Sequence, residues 1–185
     1  MKTLEKSKPL YHGQHVTREE YLDLPEDGFK YDMIEGVLYM TPSPLYEHGK
    51  IQGKFIQLLN NFLDKKLIAE VVSEIDVLLP DGGDVLRPDI SLILNENLSI
   101  VKKHIHGAPD LIVEILSESS KQRDLGVKAD RYLACGVKEY FIVDPEEKSL
   151  QLWLNQKEKW QKNQGEEIKS ILLDGFIVKH SDFWK

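Results

Sequence analysis

The sequence predicts an α/β fold, a mixed sheet flanked by helices, and three observations carry that prediction. Runs of β-branched and apolar residues recur at 68–79, 85–94, 110–116 and 137–143. Ahead of them lies a segment, 48–66, whose Ile51, Phe55, Leu58, Leu59 and Phe62 fall three and four apart, the spacing of one buried helical stripe. A second helical segment runs to Ala134, between the last two strands, so helices are placed to cover the sheet.

Taken in order, residues 1–15 read as a flexible arm. Thr17-Arg18-Glu19-Glu20 has the spacing of a capping box and opens a short helix that ends before Pro25. Residues 29–34 and 37–40 flank Glu35-Gly36, which suits a two-residue hairpin turn, so Glu35 is read as a turn residue, while Asp32 inside the first strand is left open. Thr41-Pro42-Ser43-Pro44 breaks the second strand before the long helix. The runs 68–79 and 85–94 make a hairpin about the turn Pro80-Asp81-Gly82-Gly83-Asp84. Residues 95–107 form a polar loop; its Lys102, Lys103, His104 and His106 read as a solvated cluster rather than a phosphate or metal site, since H-x-H alone is unspecific. The nearly unbroken apolar run 110–116 is a central strand covered on both faces. Ser117 to Ser120 offer helix caps, Gly136 stops the helix, and a further strand closes on Asp144-Pro145. Additional β segments follow around 150–154, 160 and 171–178.

The chain has 185 residues, enough for one well-buried core, and reads as a single domain. No apolar run is long enough to cross a membrane and the start has no signal-peptide core. Its single cysteine, Cys135, cannot close an internal disulfide, so the expected compartment is the cytoplasm. A net charge of -7 argues against a surface that coats nucleic acid broadly. It leaves room for a nuclease, whose carboxylates a metal ion would neutralise.

The chemistry concentrates between residues 85 and 116, where Asp89 and Glu114 interrupt apolar strands. A carboxylate on the inner face of a strand is costly unless it is paired or holds a metal. Alternation puts Glu114 on one face with Asp110, Ile112 and Leu116, and Asp89 with Ser91 and Ile93; if the strands are neighbours, the two acids converge. Oxygen ligands from rigid strands, with the remaining positions left to water and phosphate, suit Mg²⁺ or Mn²⁺. Asp110 precedes Glu114 by four residues, about 13 Å along an extended strand, too far for shared ligation, and is assigned to strand entry or to a hydrogen bond. Downstream, Asp124, Lys128 and Tyr132 lie along one helical face. They read either as a surface ion pair with a bystander or as part of a site in which Lys128 orients water or stabilises phosphate. His48, at the first turn of the long helix, is either a surface or capping residue or an auxiliary group of the site.

Arg87-Pro88-Asp89, the run from Ala108 to Ser117, Arg123-Asp124 with Lys128 and Tyr132, and the run from Gly136 to Pro145 together resemble the Uma-two family of restriction-endonuclease-like proteins. The likeness spans residues 31–145 and returns at Gly175-Phe176. It implies the PD-(D/E)XK nuclease fold, here with an N-terminal hairpin and C-terminal β additions. It also implies a Mg²⁺-dependent (or Mn²⁺-dependent) endonuclease acting on DNA, with Asp89, Glu114 and the main-chain carbonyl of Ile115 as metal ligands. The chain departs from the pattern at Leu116, where the superfamily often has lysine; Lys128 looks like a migrated replacement. Two other readings stand beside the nuclease: a catalytically inactive nucleic-acid or protein-binding module that keeps the fold, and carboxylates that only form buried salt bridges with Arg87 or Arg123. A homodimer is expected for an enzyme that cuts both strands of a duplex.

Overall fold

The computed structural model describes residues 8–80 and 83–185. The first seven residues of the expected arm, and Asp81 and Gly82 of the expected turn, lie outside the described residues. From Gly13 onward the arm segment is held against the hairpin: Gly13 donates its N–H to Leu38, and Val16 to Gly36.

Helix α1 (Arg18–Leu22) starts on the expected capping box, Thr17 and Glu20 bonding each other's backbone. Strands β1 (Lys30–Ile34) and β2 (Val37–Thr41) then form a hairpin, with Glu35 and Gly36 both at positive φ, 53° and 75°, as a two-residue primed turn requires. Helix α2 (Tyr46–Leu63) buries Ile51, Phe55, Leu59 and Leu63, one residue per turn.

The expected strands 68–79 and 85–94 each break in two. The first becomes β3 (Ala69–Ser73) and β4 (Val77–Leu78), parted at Glu74, which takes a left-handed φ of 55°. The second becomes β5 (Val85–Leu86) and β6 (Ile90–Leu94), parted at Pro88, which has no N–H to give a ladder. The breaks face each other, so both segments cross there from one sheet to the next. Strand β7 (Ile105–His106) follows a 3₁₀ turn (Asn95–Ile100), then β8 (Leu111–Ile115). Residues β1, β2, β4, β5 and β7 make a five-stranded sheet in the order β2-β1-β5-β4-β7.

The helix expected up to Ala134 is interrupted. It comprises α3 (Lys121–Arg123), a π turn (Asp124–Lys128) kinked at Gly126, and α4 (Ala129–Ala134). Strands β9 (Glu139–Asp144), β10 (Ser149–Asn155) and β11 (Trp160–Gln164) complete a six-stranded sheet, β11-β10-β9-β8-β6-β3, in which only β8 and β9 run parallel. A small pair, β12 (Glu167–Lys169) and β13 (Ile177–Lys179), stands apart. This is the mixed α/β architecture that the sequence predicts. No helix among the described residues is long and apolar enough to cross a membrane.

Each face of the six-stranded sheet carries its own core. On one, Ile90, Leu92, Leu111, Val113, Ile115 and Phe141 pack against α2 and the C-terminal Phe176 and Phe183. On the other, Ile93, Ile112, Leu116, Tyr140 and Ile142 pack against Ala129 and Tyr132 of α4. Two buried acids on this sheet are fully explained by hydrogen bonds. Asp110 accepts from Leu94 N and Asn97 Nδ2 and pairs with Lys138, and Glu139 accepts from Ser170 Oγ and from the N–H groups of Ile171 and Leu172.

Asp144, at the end of β9, accepts from Glu146 and Glu147 N–H and pairs with Lys121 at 2.8 Å. Burial pushes its carboxyl up, but the Lys121 ammonium and the two N–H donors hold it below the ordinary carboxylate value. A carboxyl depressed in the folded state contributes stability only while ionised. Asp144→Asn is therefore expected to cost roughly 1 kcal/mol at neutral pH. The difference from wild type should fade as pH falls from the unfolded value, about 3.9, through the lower folded one. Thermal melts of both proteins at pH 7 and near pH 2 check this; a gap that persists in acid excludes it.

Candidate active site

Strands β6 and β8 are antiparallel neighbours, with Ile90 opposite Val113 and Ser91 opposite Ile112. The register carries Asp89 opposite Glu114 and on the same sheet face, and Asp89 N–H lies 3.4 Å from Glu114 Oε2. Asp89 Oδ2 accepts the N–H of Ile115 at 2.6 Å. Since N–H and C=O of one strand residue point to the same edge, the Ile115 carbonyl is turned to the Asp89 side. Leu116 is buried in the apolar core of this face.

Lys128 brings a buried ammonium to Glu114, whose own strand carries the apolar Leu116 two residues on. Its Nζ is 2.6 Å from Glu114 Oε1, 3.0 Å from Asp124 Oδ1 and 3.9 Å from Asp32 Oδ2. The Asp124 contact is an ion pair out of line for a hydrogen bond. Tyr132 donates its hydroxyl to the same Glu114 oxygen at 3.0 Å. Asp124, Lys128 and Tyr132 thus do lie along one helical face, but that face is buried: Asp124 is 2% exposed and Lys128 3%. The surface-pair reading of these residues does not hold, because the π turn rolls them under against β8 instead of out into solvent.

His48 comes from α2, its Nε2 3.1 Å from Asp89 Oδ1. Burial alone would lower its pKa; the hydrogen bond and charge of Asp89 outweigh that and raise it. Three groups escaped the sequence reading or were left open by it. Asp32 projects from β1, is 3% exposed and accepts the N–H of Arg87 at 2.8 Å. Gln52, one turn after His48, donates to the Asp89 carbonyl at 3.0 Å, and Glu74 lies within 3.4 Å of the same amide. Asp32 carried the same signal as Asp89 and Glu114, an acid inside an apolar strand; Gln52 was visible only as an i,i+4 partner of His48. Neither Arg87 nor Arg123 neutralises the two strand acids, contrary to the salt-bridge reading. Arg87 pairs with Asp76, and Arg123 lies over the Tyr39 ring. His104 sits 3.6 Å from Asp76, away from this cluster.

The electrostatics are unbalanced. Asp32, Glu114 and Asp124, all buried, face the one ammonium of Lys128, and Asp89 adds a fourth carboxylate shared with His48. Burial pushes Glu114 well above the ordinary carboxylate value; Lys128 pulls it down, and Asp124 and Asp89 push it further up. Asp32 is likewise raised, by burial and by Asp124 against the pull of Lys128. Burial would lower the Lys128 pKa, yet Asp124, Asp32 and Glu114 raise it well above normal, so it is an ammonium. Among the described residues no three His, Cys, Asp or Glu side chains surround an ion by themselves. The donor set instead fits an open oxygen site: two carboxylates and a carbonyl, with a surplus of negative charge and space for water and phosphate.

That space is a cleft of about 1340 Å³, with Asp32, His48, Asp89, Glu114, Asp124 and Lys128 on its walls. Lys30, Lys50, Lys121 and Lys148 line it further out. The sequence matches the Uma2 family, described as "Putative restriction endonuclease", over residues 18–177. Among solved structures it is similar to one titled a "putative nuclease belonging to DUF820" from Anabaena variabilis. The TM-score is 0.79 at 21% identity, covering 91% of this chain and 97% of that one, a likeness that shows the fold. Comparison with curated proteins gives no match.

Proposed function

We propose, for a chain that belongs to the Uma2 family, that the cleft hydrolyses phosphodiester bonds in DNA with the help of a divalent metal ion. Asp89, Glu114 and the carbonyl of Ile115 would hold Mg²⁺ or Mn²⁺. Such an ion lowers the pKa of bound water and neutralises charge on a phosphodiester. The protein's own residues do the rest. His48 and the Ile115 N–H fix the two oxygens of Asp89, and Gln52 fixes its backbone. Tyr132 and Lys128 converge on Glu114 Oε1, leaving Oε2 on the Asp89 side. Lys128, gripped by carboxylates, is a fixed cation. It would orient the attacking water and stabilise charge that develops on the phosphate as the P–O bond breaks; it would not take a proton. Lysines on the outer walls would receive neighbouring phosphates. The reading extends to a cytoplasmic homodimer in which each copy cuts one strand of a duplex.

The observation that carries it is the 2.6 Å contact between Lys128 and Glu114, which supports a cation in the place that Leu116 leaves apolar. Calorimetry with Mn²⁺, followed by nicking of supercoiled DNA in Mg²⁺ with and without EDTA, tests it. Metal binding with metal-dependent nicking is expected. Absence of metal binding by the wild-type protein removes the proposal, and binding of metal and DNA without cutting identifies an inactive module instead.

A further inference from the structure

Asp76 is a buried acid that the cleft chemistry does not use. It lies where the chain passes between β3 and β4, beside the matching passage between β5 and β6 that contains Arg87, Pro88 and Asp89. Arg87 places Nε and Nη2 both 2.6 Å from Asp76 Oδ1. The Tyr21 hydroxyl, shared with the Tyr31 carbonyl, is 3.2 Å from the same oxygen, and His104 Nδ1 is 3.6 Å from Oδ2. On its other side Arg87 lines the cleft that contains Asp32, Asp89 and Glu114, and its N–H is bonded to Asp32.

Arginine remains charged at any working pH and forks readily onto carboxylates. Two residues from Asp89, and already in contact with Asp32 through its backbone, an Arg87 guanidinium without Asp76 would turn to the cleft acids and take the place of a metal ion there. We propose that Asp76 is a positioning residue that holds Arg87 off the carboxylates of the candidate metal site. The inference rests on the metal-dependent reading above, because it concerns the same acids.

The experiment is Mn²⁺ calorimetry on wild type, Asp76→Asn, and Asp76→Asn combined with Arg87→Met, with circular dichroism melts on each. Asp76→Asn should weaken Mn²⁺ binding about tenfold or more, the scale on which groups beyond the metal ligands change metal affinity. The double variant, which removes the freed cation, should return to within about twofold of wild type. A structural role alone would leave the double variant as weak as the single one, and that result overturns the proposal, as does unchanged affinity in Asp76→Asn. If Asp76→Asn melts below the assay temperature, Asp76→Glu takes its place in both variants. It keeps the anion but moves it, and about threefold weakening with the same rescue is expected. A wild-type protein that binds no Mn²⁺ sinks the metal-dependent reading itself, whereas normal wild-type binding with no change in the variant sinks only the role of Asp76.

Discussion

Lys128→Met should destabilise the protein by about 3–5 kcal/mol, the usual consequence of removing one partner from a buried charge cluster. Glu114, Asp124 and Asp32 would be left facing one another at 2–3% exposure without a cation. The loss should depend on pH, and its sign follows from the direction of the shifts. Glu114 and Asp32 are already raised in the folded state, and without Lys128 they rise further. A raised acid binds its proton more tightly when folded than when unfolded, so stability falls as pH rises above the unfolded value. The variant should therefore be closer to wild type at pH 5.5 than at pH 8. Urea denaturation at both values measures this, and the same preparation should cut DNA at least about a hundredfold more slowly. A stability change under about 1 kcal/mol would show that the ammonium does not balance the cluster, and unchanged cleavage that it does not serve the reaction.

Glu114→Gln separates function from stability in the opposite way. The substitution leaves Asp32 and Asp124 against Lys128, a better balance than the present one, and the amide oxygen can still accept from Lys128 and Tyr132 at the position of Oε1. Stability should hold within about 1 kcal/mol of wild type or increase, since the buried acids here outnumber the ammonium they share. Cleavage should nevertheless fall by at least about a hundredfold, and Mn²⁺ binding should drop below detection in calorimetry. A variant that still binds metal and cuts would remove Glu114 from the site; one that loses activity only because it unfolds would show that the carboxylate is structural.

Much of this architecture is legible in order of residues. The period-3.6 stripe from Ile51 to Phe62 gives α2, the nearly unbroken apolar run around Glu114 gives β8, buried on both faces, and Glu35-Gly36 gives the hairpin turn. The pair Asp89 and Glu114 is visible as acids misplaced in apolar strands, and strand pairing brings them together. Less legible was the division of 68–79 and 85–94 between two sheets. The runs on either side of Glu74 and Pro88 are alike in β-forming residues; Pro88 marks its own break, whereas at Glu74 only the left-handed backbone marks the crossing. For the same reason the Asp76–Arg87 pair was invisible, since it joins two crossings that become neighbours only once the sheets have formed.

By itself the sequence determined where the main strands and helices lie, which residues are apolar, and which acids stand out against them, because these depend on periodicity and local composition. What the tertiary structure alone decided is the charge environment of those acids. Whether Lys128 is a surface partner of Asp124 or a buried cation on Glu114 turns on the π turn and on how α4 packs against β8. Whether Asp32 belongs to the cluster turns on where the hairpin docks. Coulombic interaction depends on distance and burial, and neither is set until the strands are paired and the helices laid over them.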